Sequence, residues 1–407
     1  MKKQRITFIA CLLVVFGMLA AACGDDDSTS AGDDAAGDDS ADDGTGDGAG
    51  DDGTGDDGTG DDGTGDDMGE GELPGEGVSI TMGKADWNTE DPNAYVARAI
   101  LQELGYDVSD PRDLELGPSQ AYISMAQADM DFWINSWYPG HRSWLANELP
   151  DGSLVGDHLS IVGEMMPAGG LQGYLVTKSF ADEFGITSLD DLNNNPDALA
   201  AYDAQDPVPG NGVADIYGCQ ESYTCDDIIT SQIAFSGWDN IGQTIAGYDA
   251  MFAEAATKAD AGEPMVIYTW TPSAYITQLR PGDNVVWLTV EDVIDDSNPT
   301  GVEGGEEHSQ LPGTATIGTD ECPGSADGTC TLGWVAADIL VTANSDFLEA
   351  NPAVEQFLTD FKMSVLEVSL MNVDMSNGAD VQQLAADWIT DNRDTVDTWI
   401  ANAIAAA

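Results

Sequence analysis

The chain has 407 residues, and its 74 acidic side chains against 12 basic ones give a formal net charge of −62 at pH 7. This charge excludes nucleic acid as a partner and argues against docking on anionic lipid headgroups, because both would repel the protein. About 330 residues follow an acidic N-terminal tail, and a single core of that size is uncommon, so the length predicts two lobes.

The first 22 residues have the pattern of an export signal. A charged start, Met1-Lys-Lys-Gln-Arg5, precedes an apolar run that ends in small residues before Cys23. This order is typical of a secretory signal rather than a membrane span. The end of the run resembles a bacterial lipoprotein signal, which predicts residues 1–22 as the signal peptide and Cys23 as the lipidated first residue of the mature protein. Plain secretion with cleavage nearby is the alternative. No later stretch reaches the roughly 18 apolar residues of a spanning helix.

Residues 23–77 are dominated by Asp, Gly, Thr, Ser and Ala, with Asp-Asp-Gly-Thr-Gly repeated from Asp51 to Asp67. Such a segment buries too little apolar surface to offset chain entropy, and its like charges repel each other. It is predicted to be a disordered acidic tether that spans roughly 40 Å as a flexible coil.

From Val78 onward, short apolar strands alternate with helical patterns. Asp91 and Pro92 open the clearest helix, in which apolar residues keep helical spacing as far as Leu104. Strands that alternate with helices predict an α/β fold with a parallel sheet. The predicted elements are a strand at 78–82, a helix at 91–104, a strand near residue 114, a helix at 119–128 and a strand entering Trp133.

The second half of the chain repeats this alternation. A capping box at residues 188–191 starts one helix. Apolar runs predict strands at 171–177, 264–269, 284–290 and 334–341, the last of which returns the chain to the first lobe. Helices from Ser345 to the C-terminus complete that lobe. The predicted boundaries are 78–172 with 336–407 for lobe I and 173–335 for lobe II, with a ligand cleft between the lobes.

The cysteines divide by position. One leaves with the signal peptide, and Cys23 is the lipidation candidate. The remaining four form two close pairs in an exported chain, where disulfides persist: Cys219 with Cys225, and Cys322 with Cys330. A metal site is the competing interpretation, but it lacks histidines or further thiols nearby.

Residues 131–144 concentrate three tryptophans, a tyrosine and a histidine. An apolar strand ends there at Pro139-Gly140. Trp137, Tyr138 and His141 are therefore predicted at the carboxyl end of a strand, where ligands bind in open α/β sheets.

Two later stretches carry matching aromatic residues, Tyr223 in the first cysteine pair and Trp270 after a buried strand. A quaternary ammonium has no N–H donor, so ordinary hydrogen bonds cannot hold it. The faces of Trp and Tyr attract such a cation through the ring quadrupole. We therefore predict that Trp137, Tyr223 and Trp270 form an aromatic cage, with Trp87 as a fourth candidate.

A zwitterionic ligand also needs donors for its carboxylate. His141 and the backbone N–H groups of Thr224 and Cys225 could supply them. The alternative for each residue is an ordinary structural role, because a lone Trp after a strand is more often core and a lone His is more often at the surface. The tryptophans assigned to packing are Trp133, Trp144, Trp287, Trp334 and Trp399.

These segments together resemble the substrate-binding proteins of ABC transporters for glycine betaine and proline betaine. The likeness runs from Ile80 to the C-terminal helices. It is strongest in Trp137-Tyr-Pro-Gly-His141, Gly218-Cys219 with Cys225, Tyr268-Thr-Trp-Thr-Pro272 and Pro281-Gly-Asp-Asn-Val-Val-Trp-Leu288.

The resemblance implies the two-lobed α/β fold of type II periplasmic binding proteins. It also implies a box of three aromatic residues for the trimethylammonium group, and a histidine with disulfide-loop amides for the carboxylate. These roles fall on Trp137, Tyr223, Trp270, His141, Thr224 and Cys225. Close relatives carry Trp where this chain has Tyr223.

The sequence therefore predicts an extracytoplasmic, lipid-anchored binding protein, without cofactor or metal, that delivers a betaine-type osmolyte to a membrane permease. Choline, carnitine and other betaines are alternative ligands. A secreted hydrolase is a rival, but His141, His158 and His308 are the only histidines and show no nucleophile pattern. A cell-surface adhesion module suits the tail but not the paired lobes.

Overall fold

A computed structural model describes residues 73–221, 223–290, 314–318, 321–324 and 329–407. The chain divides into Met1–Asp67 and Met68–Ala407, and every described residue belongs to the second unit. The predicted signal peptide, the cysteine predicted to be lipidated and nearly all of the predicted acidic tether lie outside the described residues. Within the described part, no helix is long and apolar enough to cross a membrane.

The described residues form short and long strands together with helices that cluster toward the C-terminus. The strands are β1 Ser79–Ile80, β2 Lys84–Ala85, β3 Asp107–Val108, β4 Glu115–Leu116, β5 Phe132–Tyr138, β6 Leu159–Thr177, β7 Ala214–Tyr217, β8 Ile241–Thr244, β9 Val266–Thr271, β10 Val285–Trp287, β11 Thr314–Gly318, β12 Thr329–Val335 and β13 Ala337–Asn344. The helices are α1 Asp91–Glu103, α2 Pro118–Ala126, α3 Lys178–Phe184, α4 Leu189–Asn194, α5 Pro196–Asp203, α6 Thr224–Ser236, α7 Tyr248–Ala261, α8 Ser345–Ala350, α9 Pro352–Asp360, α10 Val365–Ser376, α11 Val381–Asp391 and α12 Arg393–Ala406.

The long strand β6 organises the main sheet. Seven strands pair in the order β5-β13-β6-β9-β7-β8, with β10 also on β6. β6 is antiparallel to β13 from Leu159 to Gly170 and to β9 from Leu171 to Val176. The strand changes its partner close to the predicted lobe boundary, and the boundary itself stays a prediction.

Two clusters of buried apolar side chains lie on either side of this change of partner. One joins α1 and the C-terminal helices to β5 and β13, with Ile100 and Phe357 fully buried. The other surrounds β9 and the second half of β6, with Tyr174 and Ile267 inside it. Of the tryptophans assigned to packing, Trp133, Trp287, Trp334 and Trp399 are buried and Trp144 is partly buried.

The structure differs from the predicted elements in β6 and in the direction of pairing. β6 starts at Leu159 instead of the predicted residue 171. The prediction was wrong because Pro167 and nearby glycines give residues 159–170 the composition of a turn. A Cβ at Gly163 would lie 2.1 Å from the carbonyl oxygen of Leu358, so glycine lets α9 pack directly on the strand. The short pairs β1–β3, β2–β4 and β7–β8 are parallel as predicted, whereas β6 pairs antiparallel. The sheet is therefore mixed, not parallel.

Candidate ligand-binding site

One pocket gathers all seven residues predicted to contact the ligand. Its empty space is about 490 Å³, counting the part open to solvent, which lies within the range of small-ligand sites. The predicted residues in its wall are Trp87, Trp137, His141, Tyr223, Thr224, Cys225 and Trp270. The remaining wall residues, which the sequence did not indicate, are Pro118, Gly140, Gln172, Ile228 and Tyr268.

Three rings of the predicted cage touch in series. Trp87 meets Tyr223 edge to face with centroids 4.9 Å apart, and Tyr223 meets Trp270 at 6.5 Å in a similar geometry. Tyr248 supports the indole of Trp270 with ring centroids 4.3 Å apart. Each of the three cage rings is at least nine-tenths buried. Each edge-to-face contact covers one face of one ring, and all three residues also line the pocket, where these rings can attract a quaternary ammonium.

Trp137 contributes the fourth ring at the end of β5. Its Nε1–H donates to the Oδ1 atom of Asn135, which fixes the indole orientation. Gly170 of β6 lies beneath it, because a Cβ at that position would be 2.6 Å from the indole. Trp137 and Tyr138 are the last two residues of β5 itself, and the 3-10 helix Gly140–Ala146 that follows carries His141.

His141 is a buried, neutral hydrogen-bond donor. Its ring stacks on Trp133 with centroids 5.6 Å apart and meets Tyr122 edge to face at 5.9 Å. Burial lowers the pKa of His141 to about 3, so the imidazole is neutral at pH 7. The backbone N–H of Trp137 donates to Nδ1 at 3.1 Å. The ring proton therefore sits on Nε2, which makes that nitrogen a donor.

The loop closed by Cys219 and Cys225 ends in the first turn of α6. The first N–H groups of a helix have no acceptor inside the helix and attract anions. Thr224 and Cys225 provide two such groups. The Thr224 hydroxyl is buried without a hydrogen-bond partner among the described residues. This turn therefore presents donors toward the pocket.

Two carboxylates follow these donors in α6. Burial, with a contribution from the charge of Asp227, raises the pKa of Asp226 to about 7. Partial protonation reduces the negative charge near the turn. A ligand carboxylate would meet less repulsion there than the sequence alone suggests.

The segment that carries Trp87 is anchored by buried charges. Lys84, 1% exposed, pairs with Asp91 at 3.2 Å, and Arg112 reaches the same carboxylate at 2.5 Å. The Glu90 carboxylate accepts from the backbone N–H of Ala85. Burial raises the pKa of Glu90 to about 8 although the Lys84 charge opposes this shift. Asp91, predicted to open the helix, thus serves as an ion-pair partner inside the first turn of α1.

The same segment bonds to both cage segments of the second half of the chain. Gln220 Nε2 donates to the Asp86 carboxylate at 3.4 Å, and Trp270 Nε1 donates to the Thr89 hydroxyl at 3.4 Å. Asn372 Nδ2 donates to the Thr89 carbonyl oxygen at 3.0 Å. These contacts place Trp87 opposite Tyr223 and Trp270.

The other predicted cysteine pair is confirmed as well. Cys322 is bonded to Cys330, which lies in β12 opposite Ile317 of β11, and neither cysteine lines the pocket. No group of three or more metal-ligating side chains occurs in the part of the chain that the structure describes.

The comparison with protein families decides the family of the chain. A family described as the substrate binding domain of ABC-type glycine betaine transport systems matches residues 78–391. This chain belongs to that family. The match spans the described pocket and most of both apolar clusters.

Two curated proteins are similar to this chain. The glycine betaine/proline betaine-binding periplasmic protein of Salmonella typhimurium is 27% identical over 340 residues, which cover 82% of this chain and 93% of that protein. The glycine betaine-binding periplasmic protein OusX of Dickeya dadantii is 27% identical over 342 residues, covering 83% and 93%.

Solved structures confirm the predicted fold class. Lactococcal OpuAC, in a closed-liganded conformation with glycine betaine, is 16% identical with a TM-score of 0.55 and covers 79% of this chain and 99% of its own. An ABC-transporter choline binding protein in complex with choline is 18% identical with a TM-score of 0.54 and covers 80% and 96%. The chain thus has the two-lobed α/β fold of type II periplasmic binding proteins.

Proposed function

We propose that the protein captures glycine betaine, or a similar quaternary-ammonium osmolyte, and delivers it to the permease of an ABC transporter. The observation that carries this proposal is the convergence of aromatic rings and anion donors in one pocket. The rings of Trp87, Trp137, Tyr223 and Trp270 would surround the trimethylammonium group, each worth about 0.5–2 kcal/mol.

The hydrogen-bond donors of the pocket indicate which group the other end of the ligand carries. The Nε2–H of His141 and the amides of Thr224 and Cys225 would hold a carboxylate, as at many anion sites. Choline has no carboxylate and would leave these donors unused. The proposal therefore favours a zwitterion over choline.

The fold supplies the mechanism of capture. The chain crosses between the proposed lobes along β6 and again between β12 and β13. Bending at these crossings would bring Trp137 and His141 toward Tyr223 and Trp270 around the ligand. No covalent step is needed, and we propose that the protein is not an enzyme.

The structure gives little support to the alternative that the protein is a hydrolase. The Ser153 hydroxyl lies 2.8 Å from His158 Nε2, but Asp151 accepts from the serine at 2.6 Å instead of orienting the histidine. A nucleophile of this kind needs a base that is itself held by a third group. His308 lies outside the described residues.

We also propose that the protein works outside the cytoplasmic membrane, held there by a lipid on Cys23. Periplasmic relatives support the location. The signal sequence supports the anchor. Labelling of wild-type protein, but not Cys23→Ser, by a radioactive fatty acid in a bacterial host would test it.

Calorimetric titration of the purified protein with glycine betaine, proline betaine, choline and proline at matched salt tests the ligand class. We expect saturable binding of the betaines, abolished in Trp270→Ala and weakened in His141→Ala. Trp388→Ala is the matched control, because Trp388 lies on α11 and outside the pocket wall. A folded protein that binds no quaternary ammonium would refute the proposal.

A further inference from the structure

Gln172 forms the floor of the pocket, at the point where β6 changes its partner strand from β13 to β9. On β6 it is the register partner of Trp270 on β9, so the two side chains are neighbours on one face of the sheet. Two residues earlier on β6, Gly170 lies beneath the indole of Trp137. The side chain of Gln172 thus stands between the aromatic residue from β5 and the aromatic residue from β9.

A buried tyrosine fixes the orientation of the Gln172 amide. The Tyr268 hydroxyl donates to Gln172 Oε1 at 2.5 Å. Tyr268 is 2% exposed and packs against Tyr174 and Trp334, with ring centroids 6.4 and 5.3 Å apart. Since these contacts hold the phenol in place, the amide oxygen stays engaged.

The amide nitrogen points to a different use. Gln172 is half-buried and lines the pocket, and its Nε2 has no hydrogen-bond partner among the residues that the structure describes. Oε1 already accepts from the phenol, and the two N–H donors of the amide are the groups that lack a partner among the described residues. Such donors bind an acceptor atom, and a quaternary ammonium carries none.

We propose that Gln172 is a further ligand-contact residue, whose Nε2–H donates to the oxygen-bearing end of the ligand, and that Tyr268 is its positioning residue. This inference rests on the proposed function. It adds a side-chain donor from the floor to those of His141 and the disulfide loop. The site is thereby built for a cation that also carries an acceptor, which makes Gln172 a determinant of zwitterion over simple cation.

Two ligands separate this role from a merely structural one. Glycine betaine carries both groups, whereas tetramethylammonium carries only the cation. In calorimetric titrations, Gln172→Met, which keeps the length of the side chain, should weaken glycine betaine binding about tenfold and change tetramethylammonium binding by less than about twofold.

Charge and positioning variants sharpen the test. Gln172→Glu should weaken glycine betaine more than Gln172→Met does, because a carboxylate repels a carboxylate, while tetramethylammonium binding stays equal or tightens. Tyr268→Phe releases the amide and should weaken glycine betaine selectively, by less than Gln172→Met. Circular dichroism melts establish that each variant is folded.

The outcomes that overturn the inference are distinct. Equal losses for both ligands in Gln172→Met would make the residue structural, and tighter binding of both ligands by Gln172→Glu would place it against the ammonium group. Unchanged glycine betaine affinity in Gln172→Met, with wild-type binding intact, would remove the inference alone. Failure of the wild-type protein to bind either ligand would remove the proposed function together with it.

Discussion

The indole of Trp87 and the phenol of Tyr223 meet edge to face, with centroids 4.9 Å apart. One belongs to the segment before α1 and the other to the disulfide loop before α6. The sequence indicated both as cage candidates, and the structure makes them neighbours. Trp87 thereby extends the aromatic wall of the pocket beside Tyr223.

The ring of Tyr223 should matter more than its hydroxyl. Tyr223→Ala removes one π face and should weaken glycine betaine binding about 2- to 30-fold, whereas Tyr223→Phe keeps the face and should stay within about threefold of wild type. Calorimetry measures both. Equal losses in the two variants would show that the hydroxyl carries the effect.

The carboxylate of Asp86 should strengthen binding of any cation in the cage. It accepts from Gln220 at 3.4 Å, and its charge helps to raise the pKa of Tyr223, behind the larger effect of burial. Asp86→Asn should weaken glycine betaine and tetramethylammonium alike, by about three- to tenfold at low salt, with a smaller loss at high salt. Asp391→Asn, an exposed acid at the end of α11, is the control and should change neither affinity. A loss confined to glycine betaine would contradict this electrostatic role.

His141 should add no pH dependence to ligand affinity near neutrality. Burial lowers the pKa of His141 to about 3, so its Nε2–H donor is present without a positive charge between pH 6 and 8. Because Asp226 has a pKa of about 7 beside the same donors, the test uses the Asp226→Asn variant, in which titrations with glycine betaine at pH 6 and 7 should give dissociation constants within about twofold of each other. Affinity of this variant that rises toward acid with a midpoint near pH 6.5 would show that the imidazolium, not the neutral ring, binds the ligand.

Glu90 should make the protein less stable as the pH rises. Its pKa is about 8 in the folded protein against 4.5 as a free side chain, because burial disfavours the carboxylate. The folded state therefore binds more protons than the unfolded state between these values. The contribution of Glu90 to stability is complete below pH 4.5 and is lost as the pH rises through about 8.

Glu90→Gln tests this linkage, since the amide cannot ionise. The free energy of unfolding of variant and wild type is measured in urea at pH 5.5 and pH 8.5. The variant's free energy minus that of wild type should be larger at pH 8.5 than at pH 5.5, by at least about 1 kcal/mol. Glu349→Gln, at an exposed position on α8, controls for the loss of a charge. An identical pH profile for wild type and Glu90→Gln would show that Glu90 ionises normally.

The local parts of the fold were readable from sequence. Helix α1 begins at Asp91 as predicted, because Pro92 in its first turn and the apolar spacing up to Leu101 are properties of neighbouring residues. The two cysteine pairs were equally local. The start of β6 was missed, since residues 159–170 contain Pro and Gly that favour turns in isolation, and only packing against β13 and α9 makes them a strand.

The site divides in the same way. Aromatic residues at strand ends and in a pinched loop were enough to indicate Trp87, Trp137, Tyr223, Trp270 and His141, because their chemistry is visible residue by residue. Gln172 was not predicted, because the role of a glutamine depends on the residues that it contacts in the folded protein. The register of β6 against β9 sets it beside Trp270, and the Tyr268 phenol decides which end of its amide faces the pocket. The sequence thus determined which chemical groups this protein can present to a ligand. Strand register, a contact between residues far apart in the chain, decided where the Gln172 side chain lies.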